Sequence, residues 1–399
     1  MPVDVDRVDA LAAAVAGIYR QAETALLAAV TDRLAVGLDR TDWQARRLAQ
    51  VGALHRAAAA IADTLADRGT TEVRAAVAAG YRAGQHDAVR ELAGTLSPGT
   101  PLPARAGGAA EQRAANAVQA LADATIGELR PVHAAILPQV DTAYRRAIAG
   151  AAARKTAGAA TLREAAQGAW AELAGRGIVG FDDRAGRRWR LHTYVEMATR
   201  AAVNRAAVHG LVDQFTAAGV RLVSVDDKAG ECWRCRPYEM RVLALWGATG
   251  RQHVAHHRGA GMVAVDVVAT LDEAAAGGLF HPGCRHTIRA YLPGVSILLR
   301  AGRTADPAGE AARERQRAIE RALRHWRELE AAALTPEGAR RARDRIAAWD
   351  AEMADHVAAH GLRRKRYREQ IGAGVIPPAG VVARTARRAG VPTPQDVEH

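Results

Sequence analysis

Apolar residues recur every three or four positions through residues 1–96, which is the spacing of an amphipathic helix. The stripe that they form in the first helix needs a partner helix to cover it. Its members are Leu11, Val15, Ile18, Tyr19, Ala22, Leu26 and Val30. Thr41-Asp42 and Thr70-Thr71 predict the N-terminal caps of a second and a third helix, with Gly69 as the stop between them. The pattern predicts an N-terminal helical arm or up-and-down bundle.

Residues 97–110 interrupt this helical pattern. They contain three prolines and three glycines, which cannot continue a helix, so the stretch predicts a linker. Helical spacing returns over residues 111–177 and stops at Gly177. Within that region Pro131 predicts either an interruption or the first turn of a new helix.

Short alternating runs replace the helical spacing over residues 178–293. Ile178–Leu191 predicts a β-hairpin around a glycine-containing turn. Further runs predict strands at Arg221–Asp226, Met240–Leu245 and Thr287–Tyr291. Residues 247–261, which hold three histidines, predict a loop. This stretch therefore predicts a compact α+β core.

Two capping-box signatures predict helices inside this core. Thr193 with Glu196 predicts the start of a helix to about Ala218. Thr270 with Glu273 predicts a second, short helix.

Helical spacing returns after the core. Asp306-Pro307 and Thr335-Pro336 each combine a cap residue with a first-turn proline, so residues 294–361 predict a helical hairpin. Residues 362–399 predict a basic, flexible tail. Taken together, the pattern predicts a mainly α protein with a small α+β core between a helical N-terminal region and a helical C-terminal hairpin.

Composition narrows the possible partners and the compartment. A net charge of +12 over 399 residues favours an anionic partner or surface. No signal peptide and no apolar run long enough to span a bilayer is expected. Three cysteines, an odd number, argue against a secreted disulfide framework and for a reducing compartment with metal-bound or free thiols.

The cysteines lie in two short motifs of the α+β core. Cys232 and Cys235 form a C-x-x-C motif, and His281 with Cys284 forms an H-x-x-C motif. Two such knuckles supply the four thiolate and imidazole ligands of a tetrahedral structural zinc site, with His286 as the alternative to His281. A metal-free core with buried thiols stays open, as does a Cys232–Cys235 disulfide.

Two groups of polar residues are candidates for binding a partner. Arg200 and Asn204 lie on one helix face, where they can bind an anion or hold a neighbouring loop. A basic run can contact phosphates without sequence specificity, dock on an acidic protein, or be a solvated helix end. It comprises Arg363, Arg364, Lys365, Arg366 and Arg368.

Two other functions stay open on the residues alone. His253, His256 and His257, with Asp266, are residue types that a metal-dependent nuclease uses. That reading predicts loss of activity on His256→Ala or His257→Ala. The second is a basic DNA-binding protein that acts outside any virion. Neither a phosphate-binding P-loop nor a zinc-deaminase signature is present, and the sequence favours binding over enzymatic turnover.

The motifs of the core resemble those of the phage minor capsid protein 2 family, which is related to the Mu F-like minor head proteins. The resemblance rests on Tyr194-Val-Glu-Met-Ala-Thr-Arg200, on Glu231-Cys-Trp-Arg-Cys-Arg-Pro-Tyr-Glu239 and on Gly278-Leu-Phe-His-Pro-Gly-Cys-Arg-His286. It covers Ile178–Pro293, and the C-terminal helices look similar too. Arg200, Asn204 and Arg285 are accordingly expected to belong to a structural core motif.

The resemblance implies a low-copy structural protein of a tailed phage head that is found in the virion and assembled in the host cytoplasm. Its implied partners are the portal protein and the major capsid protein, with packaged DNA as a further one through the basic tail. Its implied roles are head assembly, DNA packaging or ejection.

Overall fold

The computed structural model describes residues 5–95, 109–158, 160–182, 188–227, 234–281, 284–298 and 307–370. Long helices dominate this part of the chain, and a small mixed sheet lies between them, so the predicted fold class is confirmed. The helices are α1 (Val5–Ala35), α2 (Trp43–Ala49), α3 (Val51–Thr95), α4 (Ala109–Ala134), α5 (Ile136–Thr156), α6 (Leu162–Arg176), α7 (Leu191–Ala217), α8 (Leu271–Ala276), α9 (Pro307–Ala331) and α10 (Pro336–His360).

The N-terminal helices differ from the prediction at Gly69. Instead of ending a helix there, the chain continues through α3 without a break from Val51 to Thr95. A Cβ atom on Gly69 would lie 2.6 Å from the Tyr19 hydroxyl oxygen. Gly69 is therefore explained by the close approach of α1, because only a residue without a side chain leaves room for the buried Tyr19 ring.

Helix α7 lies at the centre of the fold. It is packed against α1 and α3 and is buried along most of its length, including Val203 and Phe215. Gly84 of α3 and Gly210 of α7 let the two backbones approach closely: a Cβ on Gly84 would lie 2.7 Å from the Ala207 carbonyl carbon. One hydrophobic cluster therefore joins the N-terminal helices to the α+β core.

The start of α7 differs from the predicted capping box. The helix begins at Leu191, and its N-cap, Arg190, makes no side-chain cap hydrogen bond. Thr193 lies inside the first turn, and Glu196 forms an ion pair with Arg200 instead of a cap. The predicted box at Thr270 and Glu273 is confirmed, since both of its hydrogen bonds form at the start of α8.

A five-stranded sheet packs beside α7. Its strands are β3 (Leu222–Val225), β4 (Val242–Ala244), β5 (Gly250–Ala255), β6 (Met262–Thr270) and β7 (Ile288–Ala290), in the order β5-β6-β4-β3-β7. Among the strand pairs of the described residues, only β4 and β6 run parallel. A separate hairpin of β1 (Gly180–Asp182) and β2 (Arg188–Arg190) precedes α7, as predicted; its turn lies outside the described residues.

The predicted loop over residues 247–261 is wrong. Its residues 250–255 form β5, which pairs antiparallel with β6. The strand has a weak local signal because it begins with a glycine, ends with an alanine and holds a single β-branched residue, Val254. Pairing with the more apolar β6 stabilises it.

The C-terminal helices form the predicted hairpin. Thr335 caps α10 through its side chain, and Pro336 occupies the first turn. The hairpin is attached to α6, where the Gln167 side-chain oxygen accepts hydrogen bonds from the backbone N–H groups of Leu334 and Thr335 at 2.7 and 3.0 Å. The Glu328 carboxylate also forms an ion pair with Arg190 at 2.5 Å.

Several predicted segments extend outside the described residues. Most of the linker at 97–110 and the tail beyond residue 370 lie there, and the predicted domain boundaries stay predictions. Among the described helices, none combines the length and the apolar character that crossing a bilayer requires.

Candidate metal centre

Two tight turns bring the cysteine and histidine residues of the knuckles together beside β3 and β7. The first turn follows Cys235, whose carbonyl accepts a hydrogen bond from the Tyr238 N–H at 2.9 Å. In the second turn the Cys284 N–H donates to the His281 carbonyl at the same distance, 2.9 Å. Each turn directs its cysteine inward, since Cys235 and Cys284 are both buried.

Three potential metal ligands converge at this point. The ligand atoms of Cys235, His281 and Cys284 all lie within 4.8 Å of one another. The two sulfur atoms are 3.6 Å apart, close to the roughly 3.8 Å that tetrahedral geometry gives for two thiolates about 2.3 Å from zinc. Two thiolates and an imidazole are ligand types that zinc prefers, so these residues fit a zinc ion. Cys232, the predicted fourth ligand, lies outside the described residues.

His286 occupies a position behind the cluster. Its Nδ1 atom lies 3.3 Å from the Cys284 sulfur, and its Nε2 atom lies 2.6 Å from the Glu239 carboxylate. A histidine held between a carboxylate and a ligand atom typically orients that ligand. The structure thus places His281 with the two cysteines, and gives His286 a supporting position.

The hydrogen bonds among Glu239, His286 and Cys284 favour the thiolate form of Cys284. Burial by itself would raise the pKa of the Cys284 thiol, but hydrogen bonds from His286 outweigh it and lower that pKa. Burial also opposes the charge of His286, yet its bonds to Cys284 and Glu239 prevail and raise its pKa to about 9. A thiolate is the form of cysteine that binds metal.

Neighbouring elements fix the segment that carries Cys284 and His286. Asn204 of α7 donates a hydrogen bond from Nδ2 to the His286 carbonyl at 3.2 Å. The Asp226 side chain accepts one from the Thr287 N–H at 2.8 Å. Asn204 therefore holds a neighbouring loop, which is one of the two roles that the sequence left open for it.

An ion-pair cluster joins the N-terminal helix to the same segment. Asp9 of α1 accepts a hydrogen bond from Arg200 of α7 at 2.7 Å and lies 3.5 Å from the Arg285 guanidinium. Arg200 also bonds Glu196 at 2.5 Å. Arg200 is thus paired with two carboxylates of the protein, through its Nε and Nη2 atoms, and holds α1 against α7.

Removing the charge of Asp9 is expected to lower the free energy of unfolding by about 2–3 kcal/mol, because Asp9→Asn takes a charged acceptor from Arg200 in a nearly buried site. Urea unfolding followed by circular dichroism measures the change. Asp42→Asn is the matched control, because Asp42 pairs with Arg40 and Arg46 at the surface, where ion pairs contribute little. Equal losses in both variants would show that the Asp9 cluster does not hold α1.

The basic run does not form a uniform cationic surface. Arg364 is paired with Asp350 and Glu369 at 2.5 and 2.6 Å. Arg368 is half-buried, while Arg363, Lys365 and Arg366 are exposed at the end of the C-terminal hairpin. Only these last three present their charges to solvent.

The histidines of the nuclease alternative lie on the β5–β6 hairpin and in the turn after β5. His256 Nδ1 accepts hydrogen bonds from the backbone N–H groups of Arg258 and Gly259 at 3.1 and 2.8 Å, so it shapes that turn. His253 is exposed on β5. Within the described ranges, the only three-residue group that can hold a metal is the Cys235–His281–Cys284 cluster.

Sequence reasoning assigned no role to Asp9 or Glu239. Asp9 lies on the buried face of α1 between Val8 and Ala10, and an acid on a buried face is the one signal that could have singled it out. Glu239 follows the first knuckle, but no spacing rule connects it with His286.

Long helices around a buried Cys/His cluster, with internal ion pairs that tie the helices to it, define a structural scaffold. The chain belongs to the family described as phage minor capsid protein 2, whose sequence model matches residues 3–358. No curated protein sequence and no solved structure matches the chain.

Family membership makes the chain a phage minor capsid protein, a component of the virion that contacts other virion components. A structural capsid family also favours a role without enzymatic turnover. The resemblance seen in the core motifs is therefore confirmed, and it extends over the N-terminal helices as well.

Proposed function

We propose that the protein is a low-copy, portal-associated component of the phage head that acts by binding, in head assembly, DNA packaging or ejection. The observation that carries this proposal is the family match over residues 3–358, which spans both the helical bundle and the α+β core. In the structure these two parts share one hydrophobic cluster. A single rigid unit of this kind suits docking onto a symmetric assembly.

The proposed metal centre supports the same function. Cys235, His281 and Cys284, with Cys232, would hold a zinc ion that fixes the two knuckles against β3 and β7. Such an ion contributes folding free energy directly. A small sheet has no large hydrophobic interior, and the zinc ion would keep the core rigid in its place.

Quantitative mass spectrometry of density-purified particles tests the proposed location. We expect a low, fixed ratio of this chain to the portal and major capsid proteins. Separate binding of the purified chain to isolated portal and to isolated major capsid protein then identifies the partner. Binding to the capsid protein alone would disprove portal association, and absence from particles would leave an assembly factor or a DNA-binding protein outside the virion.

DNA contact, where it occurs, is proposed to use the three exposed residues of the basic run. Each phosphate contact adds roughly 0.9 to the slope of log affinity against log salt concentration. The triple variant Arg363→Ala, Lys365→Ala, Arg366→Ala is therefore expected to lower that slope by about 2–3 in titrations of a labelled duplex.

A charge-matched variant separates a local DNA contact from the overall positive charge. Arg317, Arg321 and Arg341 are also exposed, but they lie along α9 and α10. Changing all three to alanine should leave the slope nearly unchanged. If both triple variants lower it equally, the basic run is not a distinct DNA-binding surface.

A further inference from the structure

The two edge strands of the five-stranded sheet differ in whether another element covers them. At the β7 edge, the Ala290 N–H donates a hydrogen bond to the Glu91 carboxylate of α3 at 2.9 Å, so a helix covers this edge. The opposite edge is β5, which pairs only with β6 among the described strands. An open edge strand is a template for pairing with another chain.

The hydrogen-bond register shows which groups of β5 face outward. The His256 N–H donates to the Gly261 carbonyl at 3.0 Å, which makes these two residues a hydrogen-bonded pair. Such pairs alternate along an antiparallel ladder. Gln252 and Val254 therefore direct their backbone groups to β6, and the backbone groups that point away belong to Arg251, His253 and Ala255.

The next outward group is already used inside the protein. The His257 N–H donates to the Pro293 carbonyl at 2.9 Å, which anchors one end of the edge. Among the residues that the structure describes, none bonds the outward backbone groups of Arg251, His253 or Ala255. The edge of β5 thus offers the backbone N–H and C=O groups of these three residues, next to the His257–Pro293 hydrogen bond, for pairing with another strand.

The positive charge around β5 favours an acidic chain as the partner of these backbone groups. Residues 247–261 contain two arginines and three histidines and no acidic residue, and the neighbouring strand β6 adds one exposed acid, Asp266, opposite Arg251. Positive side chains therefore outnumber the acidic one on the hairpin. Arg251 and His253 are exposed on the outer face of the hairpin. On the same face Met262 is 62% exposed and Val268 38% exposed, so apolar surface lies beside the charges.

We propose that β5 binds an extended, acidic segment of another protein, which adds to the sheet as a sixth strand. Its alternate acidic side chains lie beside Arg251 and His253, while its intervening residues lie on the opposite face of the sheet, beside Gln252 and Val254. A second copy of this chain is a poorer occupant, because its β5 strand has no acidic side chain to place beside Arg251. The proposal rests on the proposed function, for which it names a docking surface.

A synthetic peptide that alternates glutamate with valine tests this surface on the full-length chain. With the labelled peptide, we expect saturable binding in fluorescence anisotropy and no binding of the matched lysine peptide. Ala255→Pro removes one outward N–H group without touching the ladder to β6 and should weaken binding at least tenfold. Ala255→Ser keeps that group and should bind as the parent does.

Several outcomes would overturn the proposal. They are no peptide binding, equal binding by the proline and serine variants, preference for a DNA oligonucleotide at this edge, or a dimer that Ala255→Pro dissociates in sedimentation. Thermal melts of both variants verify that they remain folded. Because the peptide assay uses the isolated chain, it can fail while the chain is still found in particles, so the two proposals are tested separately.

Discussion

Alanine in place of Gly84 is expected to lower the free energy of unfolding by at least about 3 kcal/mol, at the upper end for overpacking a tight contact. The added Cβ would lie 2.7 Å from the Ala207 carbonyl carbon and 2.9 Å from its Cα atom. These are backbone atoms of α7, so no side-chain rotation relieves the overlap. The helices α3 and α7 must separate, which opens the packing around Val203 and Phe215.

Gly94 provides the matched control in the same helix. A Cβ at Gly94 meets nothing within 4 Å, and the residue is exposed. Gly94→Ala should therefore raise stability by at most about 0.5 kcal/mol, because Gly94 is the last residue but one of α3 and a glycine in the middle of a helix costs roughly 0.5–1 kcal/mol. Thermal and urea unfolding of both variants measure the contrast. If Gly84→Ala unfolds like the parent, the close crossing of α3 and α7 is not present in solution.

Local chemistry made much of the fold predictable. The cap at Thr335, the capping box at Thr270 and the helix stop at Gly177 each depend on residues within one helical turn of each other. Such short motifs can be recognised in the sequence alone. The long apolar stripes of the helices are equally local. These features fixed the fold class without any knowledge of which helices touch.

Features that depend on distant partners could not be predicted in the same way. Gly69 looks like a helix stop until Tyr19, fifty positions away in sequence, is placed against it. Glu196 resembles half of a capping box until Arg200 is seen to hold it. Strand β5 forms because β6 pairs with it, and its own composition argues for a loop.

The candidate site likewise combines local motifs, which the sequence shows, with distant contacts, which it does not. The knuckle motifs around Cys235 and Cys284 are short and readable, and the structure brings their side chains together. Asp9 pairs with Arg200, 191 positions away, and Glu239 pairs with His286, 47 positions away. Such contacts become visible only when the sheet and α7 place the segments side by side.

Metal removal is expected to have the second large effect on stability. The chain purified without chelator should carry about one zinc ion, and Cys284→Ala should lose it, because it removes one of two thiolates 3.6 Å apart. A ligand present at a thousandfold its dissociation constant stabilises a protein by about 4 kcal/mol. We expect a loss of that order in the variant and on chelation of the parent.

Metal content and melting temperature, measured together, also assign the ligands. His281→Ala should lose zinc, since His281 lies with the two cysteines. His286→Ala should keep it but bind roughly 10–100-fold more weakly, the usual cost of removing a residue that orients a ligand. His253→Ala, on the exposed face of β5, is the control and should retain both zinc and stability.

Opposite results would each change a specific part of this picture. Zinc retained by His281→Ala but lost by His286→Ala would exchange the roles of the two histidines. A chain without zinc, whose Cys284→Ala variant melts like the parent, would show that the thiols are only small buried groups. The knuckles would then be held by Asn204 and Asp226 through their hydrogen bonds to the His286–Thr287 backbone, and the rigidity of the core would come from α7 rather than from a metal.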